Sequence, residues 1–423
     1  MSARFDAASV SYKAAVPGGG KFPASIDTWF FGGEDETAMT MRALVFTVFL
    51  LLLAVPGACG QNAREAHRTT PLASALDSLV PALLARHEAV GAAVAILEGG
   101  EVTATRGYGF AVKGKGDEVA FTDSTLLNIA SVSKPVTAWG VLRLWQQGIV
   151  DLDRPVDRLL RSWHPPEGEF PAERITVARL LNHTAGFGLP AVPSFPADED
   201  PPSLVDVLEG RVGEDAPVRL ERAPGEVWSY SGGGYTVLEL LVGDRTERRF
   251  EEFMRRSVLS PLGLRDATFT LPARDAGVAA GHDEAGAAVA PVRYVGASAA
   301  GLYASARDFG RLLEAYHTGW RGGNAVLDSA TLRAVADHVV PVDLDGVSGA
   351  FYGLGHGVHR TDGGRVLLYH SGGNPGVRAY FIIDPDAGNG IFIAVNSDNG
   401  VPVVAGVRER WGEAYGRGLP PLY

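Results

Sequence analysis

The chain contains a single cysteine in 423 residues. That excludes a disulfide framework and any site built on several thiolates, such as a structural zinc or an iron–sulfur cluster. Lysine is nearly as scarce. It occurs only at 13, 21, 113, 115 and 134, so 33 of the 38 basic residues are arginine. Basic residues are outnumbered 49 to 38 by acidic ones, for a formal charge of −11, so no cationic face is offered by default to nucleic acid or to an anionic membrane. No apolar run reaches the ~20 residues of a membrane-spanning helix. There is no Gly-x-Ser-x-Gly elbow and no His-Glu-x-x-His. What is present, 46% hydrophobic and 21% charged residues with 53 Gly and 26 Pro, is the composition of a folded globular protein.

The N-terminal sixty residues read as an address. Residues 1–40 show no sustained period and suit an upstream segment from an early start codon, or a disordered one. Met41-Arg42, an apolar run over 43–55 and small residues over 56–60 follow the order of a secretory signal, which predicts export to the periplasm or beyond. Cys59 stands where a bacterial lipoprotein carries its lipid, but Pro56 replaces the aliphatic residue expected three positions earlier. A lipid anchor, the only membrane attachment in view, and an ordinary cleavage site both stay open.

From 72 to 420 the pattern is that of an α+β fold. Leu72, Leu76, Leu79, Leu83 and Leu84 share a helical face over 72–88. An apolar strand over 91–97 turns at Glu98-Gly99-Gly100-Glu101 into a second strand ending near Tyr108. Short apolar strands recur at 365–369, 379–383 and 390–395, and a helical pattern resumes after Pro402. Between them, Ala138, Val141, Leu142 and Trp145 form one stripe of a helix over 136–147 that Gly148 stops. Strands from both ends and a helical middle predict one antiparallel sheet flanked by helices, with a helical insertion and a cleft between.

Three motifs carry chemistry. In Ser131-Val132-Ser133-Lys134 at a helix start, residues three apart share a face, so hydroxyl and amine can meet. A serine hydroxyl is inert until a base takes its proton. A buried lysine can be that base and an arginine cannot, and the chain writes lysine here against its habit. A serine helix cap with an exposed lysine would give the same letters. Tyr230-Ser231-Gly232 follows the turn signal Pro224-Gly225; its tyrosine can relay a proton in a cleft, or be an ordinary core tyrosine. His370-Ser371-Gly372-Gly373 closes the strand begun at 366, where glycines let a substrate backbone lie close, or simply form a turn. Backbone N–H groups of Ser131 and Gly373 are candidate oxyanion donors. His356 and His359 are three apart in a Gly-rich stretch and do not suffice for a metal site, so no metal and no cofactor is expected.

In this order the motifs resemble the serine β-lactamase and penicillin-binding-protein superfamily, most closely its class C-like esterases, peptidases and β-lactamases. Leu181-Asn182-His183-Thr184-Ala185-Gly186 and Ala300-Gly301-Leu302-Tyr303-Ala304-Ser305 are similar to further family segments. The resemblance implies a serine hydrolase domain over 72–420 that works through an acyl-enzyme. Ser131 would be the nucleophile, Lys134 the base and Tyr230 the proton relay, with His370 in place of the third-motif lysine and Gly372 and Gly373 at the substrate. Gly232 replaces an asparagine that holds β-lactam amides, and His370 gives up a fixed charge. The expected activity is therefore that of an esterase or D-amino-acid peptidase on a small acyl substrate or peptidoglycan-like peptide. A class C-type β-lactamase, a D-Ala-D-Ala carboxypeptidase, or a weakly catalytic binding member are the alternatives.

Overall fold

The computed structural model describes residues 70–420 apart from 115–117, 190, 213–217, 274–275, 343–349 and 417. The segments 1–40 and 41–60, with Cys59, lie outside the described residues. Helix α1 (Pro71–Arg86) starts where Thr70 accepts the Ala73 N–H at 3.2 Å and Pro71, which has no N–H to satisfy, takes the first turn. Strands β1 (Gly91–Glu98) and β2 (Glu101–Val112) are joined through Gly99 and Gly100, whose φ values of 60° and 91° give the turn whose twist suits a hairpin. Strand β2 runs to Val112, four residues beyond the expected end near Tyr108. Gly107 is a point of close approach, because a Cβ there would stand 2.4 Å from the Phe121 carbonyl oxygen, and Gly109 takes φ 68°.

The sheet is completed by β3 (Val119–Ala120), β4 (Val340–Pro341), β5 (Ala350–Tyr352), β6 (Gly357–Arg360), β7 (Val366–Asn374), β8 (Val377–Asp384) and β9 (Asn389–Val395). Its order is β3-β2-β1-β9-β8-β7-β6-β5-β4, antiparallel at each pairing, so strands from the two ends of the chain meet at β1 and β9. This is the expected α+β architecture.

Both faces of the central strands are covered, which is why they are apolar throughout. Ala92, Val94 and Ile96 pack with α1 and with α5 (Val401–Tyr415), where Val403, Val407 and Trp411 are buried. Ala93, Ala95 and Leu97 belong to the opposite core, shared with α2 (Ser133–Gln146), α3 (Gly232–Thr246) and α4 (Ala306–Gly322). In that core Phe309 of α4 stacks on Phe392 of β9 at 3.9 Å between centroids.

One feature of the sheet prepares the site. Strand β6 reaches only to Gly357, opposite Tyr369. Residues 370–374 of β7 pair with β8 on one side and, among the described residues, with no strand on the other. The third motif thus lies inside β7 rather than after it.

Trp411 is fully buried under the sheet. Trp411→Ala is expected to cost about 3–5 kcal/mol of stability in urea unfolding. A loss below about 1 kcal/mol would mean that α5 does not seal this face.

Candidate active site

Ser131 sits on a 3₁₀ turn, Ala130–Val132, that leads directly into α2. The helix begins at Ser133, three residues before the expected start, because Pro135 falls in its first turn, where a missing N–H costs nothing. Ala130 has φ 49°, a conformation uncommon without a glycine. Polar contacts hold it there. Asn128 Oδ1 accepts the Ala130 N–H at 3.0 Å, and the Ser133 hydroxyl donates to the Ala130 carbonyl at 2.6 Å. The turn presents the half-buried Ser131 while Ala130 and Val132 are buried.

Lys134 is only 2% exposed. Its Nζ lies 3.2 Å from Ser131 Oγ and donates to the Ala299 carbonyl at 2.9 Å. The same nitrogen stands 4.7 Å from the ring centre of Tyr230 and 5.4 Å from that of Tyr235. Burial, with no carboxylate paired to it among the described residues, pushes the amine from its usual range down to about 7. A substantial fraction of Lys134 is therefore neutral near pH 7, within reach of the Ser131 hydroxyl.

Tyr230 is pinned from both sides. The His183 carbonyl accepts the Ser229 N–H at 2.8 Å, and His183 Nδ1 accepts the Ser231 N–H at 3.2 Å. Ser231 caps α3, accepting the Gly234 N–H at 3.0 Å. Burial raises the Tyr230 phenol well above its ordinary value, and a hydrogen bond with Ser131 offsets part of that rise. The phenol stays protonated at neutral pH and is bonded to the serine.

The third motif faces the turn from β7. His370 is buried, its Nδ1 bonded to the Ser371 carbonyl and its Nε2 2.9 Å from the Tyr352 hydroxyl. A carbonyl only accepts, so Nδ1 carries the proton and Nε2 accepts from Tyr352. Burial first, then the charge of Lys134, push His370 down to about 3, so the imidazole is neutral. Gly372 is a steric necessity: a Cβ there would stand 2.6 Å from the Ile129 carbonyl oxygen and 3.0 Å from Ser131 N. Gly373 is exposed beside it.

Ser131, Lys134, Tyr230, His370, Gly372 and Gly373 thus converge from three distant segments. His356 and His359 do not join them. His356 is buried and bonded to the Tyr316 hydroxyl at 2.6 Å and to the Leu354 carbonyl. Sequence reasoning missed Asn128, Asn374 and Tyr352. Asn374 donates to Asn128 Oδ1 at 2.7 Å, and Asn128 donates to the Ala300 carbonyl at 3.0 Å, which ties β7, the serine turn and the Ala297–Ala300 helix together. A signal existed for Asn128, a lone amide inside the apolar run 126–130. Tyr352 gave none.

The Beta-lactamase family matches residues 76–415. The esterase EstB of Burkholderia gladioli is 31% identical over 205 residues, which cover 47% of this chain and about half, 52%, of that protein. Among solved structures, the D-amino acid amidase of Ochrobactrum anthropi SV3, complexed with L-phenylalanine, aligns with TM-score 0.65 and 26% identity, over 82% of this chain and 99% of the amidase. An octameric penicillin-binding protein homologue from Pyrococcus abyssi has the same fold, with TM-score 0.65 and 22% identity over 82% of this chain and 78% of its own.

The buried amine makes a pH prediction. A folded-state value near 7 against 10.5 for the free amine means that, between these limits, the unfolded chain binds the extra proton. Stability therefore rises with pH in that window, by up to about 1.4 kcal/mol per unit. Measured in urea at pH 7, 8.5 and 10, wild type should gain on Lys134→Met as the pH rises. A constant difference would mean that Lys134 is charged in the fold.

Proposed function

The chain belongs to the beta-lactamase family, whose members are serine hydrolases, and we propose that Ser131 is its nucleophile, Lys134 the base and Tyr230 the proton relay. The observation that carries this is the 3.2 Å contact between Ser131 Oγ and an amine held near neutrality. In the proposed reaction, Ser131 Oγ attacks the acyl carbon as its proton passes to Lys134 Nζ. The negative charge that develops on the carbonyl oxygen is received by the N–H groups of Ser131 and Gly373. The leaving oxygen or nitrogen takes a proton through Tyr230 as its bond to carbon breaks, leaving an acyl-serine. Water then attacks that ester, giving its proton back along the same route, and the acid leaves as Ser131 is restored.

The preferred substrates in this reading are small esters or D-aminoacyl amides, with β-lactams turned over poorly. His370 is neutral and already bonded to Tyr352, so it offers no fixed cation to a carboxylate. Gly232, in the asparagine position, begins α3 without a side chain to hold an amide. A missing charge-assisted hydrogen bond costs roughly 1.5–3 kcal/mol, about ten- to a hundred-fold in rate or affinity. The similarity to an esterase and to a D-amino acid amidase supports the same choice. Export through the 41–60 leader, which places the enzyme outside the cytoplasm, belongs to this proposal.

Mass spectrometry after a fluorophosphonate probe should locate one adduct, on Ser131. An adduct elsewhere, with Ser131→Ala fully active, would overturn the assignment. Lys134→Arg keeps the charge but cannot accept a proton, and is expected to lose ~10²–10⁴-fold in kcat/KM on p-nitrophenyl butyrate. Activity within a few-fold of wild type would make the lysine structural. In a side-by-side comparison, p-nitrophenyl acetate or butyrate should exceed a cephalosporin in kcat/KM; the reverse order would refute the substrate reading.

A further inference from the structure

Beside α3 lies a cavity of about 860 Å³, within the range of small-molecule sites. Ser131, Lys134 and Tyr230 do not line it. Its walls are mixed: Leu240, Phe250, Phe269, Leu271 and Tyr294 form an apolar side, with Phe250 and Phe269 packed edge to face at 5.0 Å, and charged and polar residues form the rest.

Four carboxylates border this cavity, and three are already matched. Asp244 accepts from the Ser162 hydroxyl and from the N–H groups of Arg161 and Ser162. Glu247 pairs with Arg161 at 3.2 Å and Glu251 with Arg249 at 2.6 Å. The fourth, Glu239 of α3, is 8% exposed. It accepts the Ser298 N–H at 2.8 Å, and among the described residues no basic side chain pairs with it. The basic residues at the cavity are Arg248, Arg249 and Arg293; Arg249 is spent on Glu251, and Arg293 donates to the Ala197 carbonyl at 3.0 Å. A buried carboxylate without a counter-charge is costly.

We propose that this cavity is a second ligand site, separate from Ser131, which takes a small primary amine with an aryl or aliphatic body. The ammonium supplies Glu239 with its missing counter-charge, and the body fills the aromatic wall. With three of the four carboxylates already matched, the single one left over does not suit a metal ion, which needs several oxygen ligands. It suits an organic cation.

Burial, and the neighbouring charge of Glu251, raise Glu239 to about 7. An ammonium favours the ionised carboxylate, so affinity should rise with pH through this value. The arginines at 248 and 293 and the matched carboxylates Asp244, Glu247 and Glu251 face the same space.

Phenethylamine is the probe and 2-phenylethanol its uncharged counterpart, with binding followed by calorimetry. The amine should bind wild type about ten-fold more tightly at pH 8 than at pH 6, while the alcohol shows no such change. Glu239→Gln keeps an acceptor for Ser298 and should weaken the amine at least ten-fold at pH 8 and remove the pH dependence. A phenethylamine carrying a diazirine, irradiated on wild type, needs no variant and should label peptides containing Glu239, Phe250, Phe269 or Tyr294. Labelling at Ser131 or Tyr230, equal affinity at both pH values, or no binding at millimolar amine would overturn the proposal. None of these readouts depends on Ser131 being a nucleophile.

Discussion

Burying a lysine that, among the described residues, has no carboxylate partner is the constraint around which the interior is arranged. Each pKa unit is worth about 1.4 kcal/mol, so keeping Lys134 charged near pH 7 in this site costs several kcal/mol. The fold answers with a ladder of hydrogen bonds through otherwise apolar packing. Lys134 holds the Ala299 carbonyl, Thr137 donates to the adjacent Ser298 carbonyl at 2.8 Å, and the Ser298 hydroxyl donates to the Tyr235 carbonyl at 2.9 Å. The short helix Ala297–Ala300 is in this way clamped between α2 and α3, and the amine has one defined place.

A second constraint is geometric. A turn with Ala130 at φ 49° must stand against a strand with no side chain at 372. His183 adopts φ 61° while its carbonyl and ring nitrogen hold the residues on either side of Tyr230. Two left-handed non-glycine residues thus flank the cleft, each over-determined by polar contacts. Such conformations cost about 1–3 kcal/mol apiece and persist only where the surroundings insist on them.

The parts of this site that could be read in advance are those encoded over three or four residues. The Ser131–Lys134 spacing needs only one helical turn, and the burial of that lysine was foreshadowed by a chain that otherwise writes arginine. The central strands were visible because cover on both faces makes them apolar from end to end. What escaped is encoded across long separations. The bond from Asn374 to Asn128 spans 246 residues, and the contact of Lys134 with Ala299 spans 165. Local rules also misled in two places. The helix expected over 136–147 starts at Ser133, with Pro135 harmless in its first turn; the strand expected to end near Tyr108 runs to Val112, through Gly107 and Gly109, where its neighbours press close.

The incomplete pairing of β7 has a consequence for the protein as a solute. A strand edge with free N–H and C=O groups is normally a place where folded chains stick to one another, and proteins blunt it with charge, proline or a bulge. Strand β7 uses another device: the turn Ala130–Val132 stands over residues 370–374, with no room for even a methyl at Gly372. A turn seated this closely crowds that edge against pairing with a second folded sheet. Steric shielding here does for colloidal stability what gatekeeper charges do elsewhere, and leaves the reactive crevice free of them.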